Sequence, residues 1–184
     1  MKVFEKLDNF LEFGWAQMFR GKVDKKSPAR HPTFVTSSEK SFPNARTLVM
    51  RRIDRKDNLI EFHTDTASSK MLTLQENPRA AIHIWLPKVQ LQIQMDVLVE
   101  VKVGETTIPN WRNIPTNSRI AYGTIPSPGT VIESPFAYDQ IPDQKRFAVL
   151  VCHIQSIQLL LLGIKHIRAY YEKKTNWQGE WLSP

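Results

Sequence analysis

The feature that most constrains the fold is a thirteen-residue alternation of side-chain type from Leu91 to Val103. Every odd-numbered position is aliphatic or Met, and every even-numbered position except Leu98 is polar or charged. Successive side chains of a β-strand point to opposite faces, so this period of two predicts one long strand with a buried face and a largely polar face. A strand of this kind needs neighbours, which favours a sheet-based fold.

Further β-rich segments lie on both sides of this strand. The predicted strands cover residues 33–37, 45–53, 59–64 and 80–86 before it, one or two strands within 146–163, and then 166–171 and 177–182. The charged turn from Asp54 to Asn58 joins two of them as a hairpin. Many strands and few helices predict a mainly β fold, a β-barrel with flanking helices rather than a doubly wound sheet.

Three helical segments are predicted around these strands. Residues 3–20 carry large apolar side chains at three- and four-residue spacing, which indicates an amphipathic helix, and Gly21 is its predicted stop. Residues 66–77 form a short helix with Ser68 as N-cap, ending before Pro78. Residues 111–122 form a third helix, and the proline-rich stretch 124–145 is irregular.

The length of 184 residues fits one domain with a core of useful size. We divide this single domain, residues 1–184, into an N-terminal helix (1–21), a core barrel (31–104), a helix and irregular loop (105–145) and closing strands (146–184). Cys152, the only cysteine, lies in an apolar run and is predicted to be a buried hydrophobe.

The formal net charge of +7 favours anionic partners, among them phosphorylated small molecules and nucleic acid. The basic residues are scattered in twos and threes, so nucleic-acid binding is not the favoured interpretation. No apolar run is long enough to cross a membrane and the first residues lack a signal-peptide pattern, so we expect a cytoplasmic protein without a membrane partner.

Several enzyme classes are disfavoured by missing motifs. The chain has no Gly-x-Ser-x-Gly turn for a serine hydrolase and no glycine-rich loop for a nucleoside triphosphatase or Rossmann enzyme. The five histidines show no zinc-site spacing, so no metal site is predicted. A haem ligand among these histidines is a minor alternative.

Five short motifs follow one another in a fixed order between Pro32 and Gly104. They are Ala45–Arg51 (ARTLVMR), Phe62–Thr64 (FHT), Ser68–Lys70 (SSK), Glu76–Ala81 (ENPRAA) and Leu91–Ile93 (LQI). Their order and spacing resemble the core of the pyridoxamine 5′-phosphate oxidase family, the FMN-binding split β-barrels. The later segment Arg119–Gly123 resembles a subgroup of oxidase-related flavoproteins.

The resemblance implies FMN at the interface of a homodimer. The cofactor-binding residues that it implies are Arg46, Thr47, Leu48, Val49, Arg51, His63, Thr64, Ser69, Lys70 and Gln92. The first seven would follow the flavin, Ser69 and Lys70 would meet its phosphate, and Gln92 would reach a flavin bound largely by the other subunit. Independently of the resemblance, a helix N-terminus beside serine and lysine supplies the N–H donors and the cation that a phosphate needs.

Arg51, Ser118 and Arg168 are the substrate-binding residues that the resemblance implies. The family's Ser-Arg-Lys is Ser68-Ser69-Lys70 here, and its substrate-holding Arg-Leu-His has no clean match in residues 164–168. The sequence therefore supports FMN binding more strongly than oxidation of pyridoxamine phosphate itself.

The leading functional hypothesis is an FMN-dependent oxidoreductase that exchanges hydride between the flavin and a small substrate of unknown identity. No catalytic acid or base is predicted. The alternatives are pyridoxamine/pyridoxine 5′-phosphate oxidase proper, a flavin-binding module without turnover, and a binder of nucleic acid or another anionic surface.

Overall fold

Eleven strands and three α-helices form the main regular structure of residues 4–38 and 41–184, the part of the chain that the computed structural model describes. The strands are β1 (Thr33–Ser38), β2 (Ser41–Thr47), β3 (Met50–Asp54), β4 (Leu59–Asp65), β5 (Arg79–Leu86), β6 (Leu91–Val103), β7 (Thr124–Ile125), β8 (Asp139–Gln140), β9 (Phe147–Leu161), β10 (Ile167–Glu172) and β11 (Gly179–Leu182). The helices are α1 (Leu7–Val23), α2 (Ser69–Glu76) and α3 (Ile108–Arg112). The mainly β prediction is confirmed.

Nine of the strands form one antiparallel sheet that curls around the core. Its path runs β11-β10-β9-β6-β5-β1-β2, and β4 pairs with β9 and carries β3 on its other side. β2 and β3 are therefore two edges of the sheet, although only Leu48 and Val49 separate them in the chain. Among the described residues no ladder joins these two edges, so the barrel is split there.

The predicted strand from Leu91 to Val103 is confirmed as β6, with its odd-numbered side chains from Leu91 to Val99 in the core. β6 pairs along its length with β9, a strand of 15 residues that also meets β10 and β4 on its other side. β9 is therefore the centre of the sheet. Its alternate residues fill the barrel, including Cys152, which is fully buried as predicted, and burial raises the pKa of its thiol.

The prediction of one strand over residues 45–53 is wrong. The chain leaves the β1 ladder after Thr47 and joins β4 at Met50, so two strands replace one. Continuous β propensity cannot show at which residue a chain changes its partner strand. Glu39 and Lys40, between β1 and β2, lie outside the described residues.

The predicted N-terminal helix exists, but it begins at Leu7 and continues through its predicted stop to Val23. Gly21 lies inside the helix, at a position where the backbone of the following segment packs closely against it. A Cβ at this position would lie 2.6 Å from the carbonyl carbon of Ala29. The glycine therefore serves close packing rather than helix termination.

The start of α1 packs against the last strands of the chain. Phe10 of α1 stacks on Trp181 with ring centroids 6.0 Å apart, and Leu7 O accepts a hydrogen bond of 2.8 Å from the Tyr171 hydroxyl.

The predicted helix over residues 111–122 is wrong in its bounds. α3 ends at Arg112, and a 3₁₀ turn over residues 116–121 follows Pro115, which disfavours helix at the preceding residue. This segment packs on the outer face of β4 and β9, where a second apolar cluster contains Ile114, Tyr122 and Phe147. None of the described helices is long and apolar enough to span a membrane.

Candidate functional site

Two cations lie side by side where the barrel is split. The Arg46 guanidinium donates to Thr36 Oγ1 at 2.7 Å, and the Lys70 ammonium donates to Thr64 Oγ1 at 2.9 Å and to Ser68 Oγ at 2.8 Å. Within residues 4–38 and 41–184, neither cation forms an ion pair with a carboxylate. Among the described side chains, hydroxyl groups are therefore the hydrogen-bond partners of both cations.

The pKa values of Arg46 and Lys70 are both lowered, so this arrangement disfavours the charged forms of the two side chains. Burial lowers the pKa of Arg46. Burial also lowers the pKa of Lys70, the charge of Arg46 lowers it further, and Asp65 opposes the shift. Two half-buried cations that repel each other are stabilised by an anion, and a phosphate group has the charge and the acceptor oxygens for this place.

The N-terminus of α2 faces the same place. Ser68 is the N-cap residue, as predicted, but its hydroxyl donates to Asp65 O at 2.7 Å and does not cap the helix. Within the described part of the chain, the first amides of α2 therefore have no capping side-chain acceptor, and Ser69, the first helical residue, is exposed. Unsatisfied N–H groups at a helix N-terminus attract anions.

The backbone between β2 and β3 forms the adjoining wall. Thr47 is the last residue of β2, and Leu48 donates its N–H to Pro32 O at 3.1 Å. Leu48 and Val49 are half-buried and belong to no ladder of the described residues. This stretch leaves strand backbone free to hydrogen-bond the polar edge of a flat ring.

Arg51 and His63 lie on the other side of this wall, in a separate pocket. Arg51 is the extra residue of a β-bulge, because Met50 pairs with Phe62 while Arg52 pairs with Glu61. A bulge redirects the side chain of the inserted residue. The pocket has a volume of about 360 Å³, and Arg51, His63, Lys22 and Asn113 are among the residues that line it.

Electrostatics keep His63 neutral in this pocket. Burial, and then the charge of Arg51, lower its pKa to about 4. Its buried Nδ1 has no hydrogen-bond partner among the described residues. Its ring packs edge-on against Phe147, with the centroids 4.8 Å apart. The pocket thus offers a cation beside an imidazole that can donate or accept one hydrogen bond.

Tyr122 lies beside Arg51, although it is not among the residues that line the pocket, and the prediction of site residues missed it. Its hydroxyl accepts a hydrogen bond from Arg51, and burial raises its pKa against the opposing effect of that guanidinium. The motif Arg119–Gly123 contained the signal, but the sequence does not indicate that its tyrosine reaches Arg51.

Asp65 forms hydrogen bonds that connect the two parts of the site. The prediction of site residues missed this residue as well. Its buried carboxylate accepts two hydrogen bonds from Arg146, at 2.8 and 2.9 Å, and one from Gly123 N–H at 3.0 Å. It also accepts the N–H of Ala67, at 2.8 Å, in the turn that leads to α2. One side chain thus fixes the start of β9, the end of the segment 116–123 and the approach to Lys70.

Gln92 and Arg168 form a third group, far from the other two in the same chain. Both residues pair with Leu160 of β9, from opposite sides. Arg168 donates to Gln158 Oε1 at 3.1 Å, and its buried Nε has no partner among the described residues. The remaining predicted residue, Ser118, is exposed on the 3₁₀ turn and does not line the pocket of Arg51.

The split antiparallel barrel, with two cations beside its open seam, places this protein in the class of split β-barrel folds. In the comparisons with known proteins, residues 12–101 match the model described as "Pyridoxamine 5'-phosphate oxidase, FMN-binding domain". The chain is similar to that family over this segment, and the resemblance seen in the sequence is confirmed.

Solved structures support the same fold. A pyridoxamine 5′-phosphate oxidase-related, FMN-binding protein of Nostoc punctiforme superposes with a TM-score of 0.76 at 24% identity, covering 94% of this chain and 96% of that one. PhzG of Burkholderia lata, in complex with tetrahydrophenazine-1-carboxylic acid, superposes with a TM-score of 0.77 at 16% identity. This superposition covers 100% of this chain and 98% of that one. The predicted split β-barrel is thereby confirmed.

The similarity to curated proteins is more limited in length. A pyridoxine/pyridoxamine 5′-phosphate oxidase of Chromohalobacter salexigens is 30% identical over 88 residues, which is 48% of this chain and 40% of that protein. The chain spans less than half the length of the curated relatives that it matches.

Proposed function

We propose that the chain binds FMN with its phosphate between Arg46, Lys70 and the N-terminus of α2. The observation that carries this proposal is the pair of half-buried cations without a carboxylate partner among the described residues. Folding has placed like charges together at a cost, and a bound dianion offsets that cost. The loss of the family's arginine at Ser69 fits this arrangement, because Arg46 is the second cation beside Lys70.

The flavin ring would then lie along residues 47–49 and approach His63 and Arg51. Strand backbone that is free of ladder partners suits the polar edge of the ring, and the adjacent pocket of about 360 Å³ suits a small substrate. Arg51 and Lys22 make this pocket favourable for an anionic or polar group of the substrate. Bound FMN supplies hydride-transfer chemistry, and the function that we propose is that of an FMN-dependent oxidoreductase acting on such a substrate.

The position of Gln92 supports a site built from two chains. His63 pairs with Val149 of β9, whereas Gln92 pairs with Leu160 of the same strand. At about 3.3 Å per residue, the eleven residues between these positions span roughly 35 Å along β9. One FMN molecule does not cover that length, so Gln92 and Arg168 would reach a flavin that a second copy of the chain holds. The quaternary state that we propose is a homodimer with two equivalent interfacial sites.

The first test is the visible absorbance spectrum of the purified protein, taken before and after FMN is added and the excess is removed by desalting. We expect a retained flavin spectrum approaching one FMN per chain. Screening of electron donors and of small anionic substrates then tests the oxidoreductase part of the proposal. Protein that retains no FMN would overturn the assignment of the site, and a haem spectrum would point to a different cofactor.

A mixing experiment tests the two-chain site. Lys70→Ala and Gln92→Ala each impair a different part of the site, and each variant alone should retain less FMN than the unchanged protein. When the two variants are unfolded and refolded together, each mixed dimer contains one intact site. We expect the mixture to retain more FMN than the average of the separate variants. Retention equal to that average would show that the site lies within one chain.

The catalytic alternative is pyridoxine/pyridoxamine 5′-phosphate oxidation, which the relative from Chromohalobacter salexigens favours by its described activity. Turnover of pyridoxamine 5′-phosphate by the FMN-loaded protein would support it. FMN retention without reduction by any donor, and without oxidation of this substrate, would instead favour a non-catalytic flavin-binding module.

A further inference from the structure

A second pocket lies at the C-terminal end of α1, apart from all the residues discussed above. It has a volume of about 250 Å³ and opens between the last turns of α1, the turn that follows, and the hairpin between β5 and β6. Its lining residues are Gln17, Arg20, Asp24, Lys26, Ser27, Pro28, Leu86, Pro87, Lys88 and Val89. It shares no lining residue with the pocket of Arg51.

The charges around this pocket are unbalanced. Arg20, Lys26 and Lys88 line it, and none of the three forms an ion pair with a carboxylate in the described part of the chain. The only carboxylate in the lining is Asp24, whose Oδ1 already accepts the N–H of Lys26 at 2.8 Å. Three cations against one engaged carboxylate favour an anion.

Apart from Gln17 and Ser27, the remaining walls are apolar, and hydrogen bonds hold the segments that carry them. Pro28, Leu86, Pro87 and Val89 supply carbon surface, and Leu86 is buried. The turn is held by hydrogen bonds from Asp24 N–H to Arg20 O at 2.8 Å and from Ser27 N–H to Asp24 O at 3.1 Å. The hairpin is held by one from Gln90 Nε2 to Pro87 O at 2.8 Å. A pocket held in this way loses little conformational entropy when a ligand binds.

We infer that this pocket binds a small organic anion that carries a single ring or an equally compact apolar body. The cations at the rim would pair with a carboxylate or similar group, and the proline and aliphatic walls would cover the body. The volume lies below the range of about 300–1,000 Å³ that is typical of drug-sized ligands, which restricts the body to one ring. This site does not depend on the proposed flavin site.

The test uses the full-length protein saturated with FMN and three probes: benzoate, its neutral isostere benzamide, and acetate, which has the charge without the ring. Two-dimensional ¹H–¹⁵N NMR locates binding through the amide shifts of Lys26, Ser27, Lys88 and Val89, and calorimetry gives the affinity. We expect benzoate to bind saturably at these amides, at least tenfold more tightly than benzamide or acetate.

Two variants locate the interaction. Lys88→Gln should weaken benzoate binding at least tenfold, whereas Lys25→Gln, at an exposed lysine outside the lining, should leave it unchanged. FMN retention should be the same in both variants. Absence of saturable benzoate binding, equal affinity for benzamide, insensitivity to Lys88→Gln, or shifts centred on the amides around Lys70 would each overturn the inference. Because the readout is local, failure of flavin binding would not be mistaken for failure at this pocket.

Discussion

At the residue scale, the most informative feature is that the two cations of the candidate site have no carboxylate ion-pair partner among the described residues. Burial lowers the pKa of both Arg46 and Lys70, and the charge of Arg46 lowers the pKa of Lys70 further. Such residues weaken the empty protein and strengthen its complex with an anion, so their substitution separates binding from folding.

Lys70→Ala should therefore weaken FMN retention without unfolding the protein. Loss of a charge-assisted hydrogen bond of about 1.5–3 kcal/mol corresponds to a roughly tenfold to hundredfold rise in the FMN dissociation constant. Fluorescence quenching of titrated FMN gives the constant. Lys56→Ala, in the exposed turn between β3 and β4, is the matched control and should change nothing. Equal affinity in both variants would count against this place for the phosphate.

His63 should make the protein less stable as the pH falls from 6.5 towards about 4. Its pKa of about 4 in the folded state is below its ordinary 6.5, so in this window the unfolded chain binds a proton that the folded chain does not. The stability conferred by the neutral imidazole is complete above pH 6.5 and decreases by about 1 kcal/mol per pH unit below it. Urea unfolding at several pH values should show a shallower slope for His63→Phe, which keeps the contact with Phe147 and cannot titrate. An unchanged slope would contradict the shift.

At the scale of the elements, the site depends on how separate segments are held against one another. The segment over residues 116–123 places Tyr122 beside Arg51, and Gly123 anchors its end by donating its N–H to Asp65. Gly123 has a φ of +127°, and a Cβ there would lie 1.9 Å from the carbonyl oxygen of Ile141. The element is thus held by a position that accepts only glycine.

Gly123→Ala should therefore cost about 3 kcal/mol or more of unfolding free energy and displace Tyr122 from Arg51. Gly129→Ala is a matched control, since Gly129 also has a positive φ, of +91°, but its Cβ would meet nothing within 4 Å. The control should cost only about 1 kcal/mol. Denaturant unfolding compares the two variants, and equal losses would show that the close approach to Ile141 contributes nothing.

At this scale, some features of the fold and the site could be predicted from the sequence and others could not. The strand at Leu91–Val103 was predictable because a local period of two determines which face is buried. The helix N-cap position at Ser68 was likewise within reach of a local motif. The contact between Asp65 and Arg146 joins residues 81 positions apart, and no local sequence pattern predicts it. The bulge at Arg51 depends on the register with β4, which is set by tertiary packing rather than by the residues of β3.

At the scale of the whole molecule, the distribution of the predicted flavin residues is the main result. His63 and Gln92 lie beside distant parts of the long strand β9, so the flavin site that we propose needs two chains. The outer face of β5 and β6 around Gln92 is then the expected contact surface, and Trp85, which pairs with Gln92, is 38% exposed there.

Trp85→Arg should convert the dimer to monomers and reduce FMN retention, because a charge replaces an aromatic contact at the centre of this face. Light scattering coupled to gel filtration should give about twice the 21.3 kDa chain mass for the unchanged protein and the single mass for the variant. Val23→Arg places the same charge at a side chain that is 79% exposed at the end of α1, and it should remain dimeric. A Trp85→Arg variant of dimeric mass would move the interface elsewhere.

The split between β2 and β3 has a mechanical consequence. Around the rest of the barrel, any change in circumference must stretch or break ladders of backbone hydrogen bonds. Across the split, the described residues form no such ladder, and the chain itself connects the two edge strands through Leu48 and Val49. We therefore expect the barrel to change its circumference at this split more easily than elsewhere, because no ladder hydrogen bonds must break there. The paired strands β6 and β9 should keep their geometry.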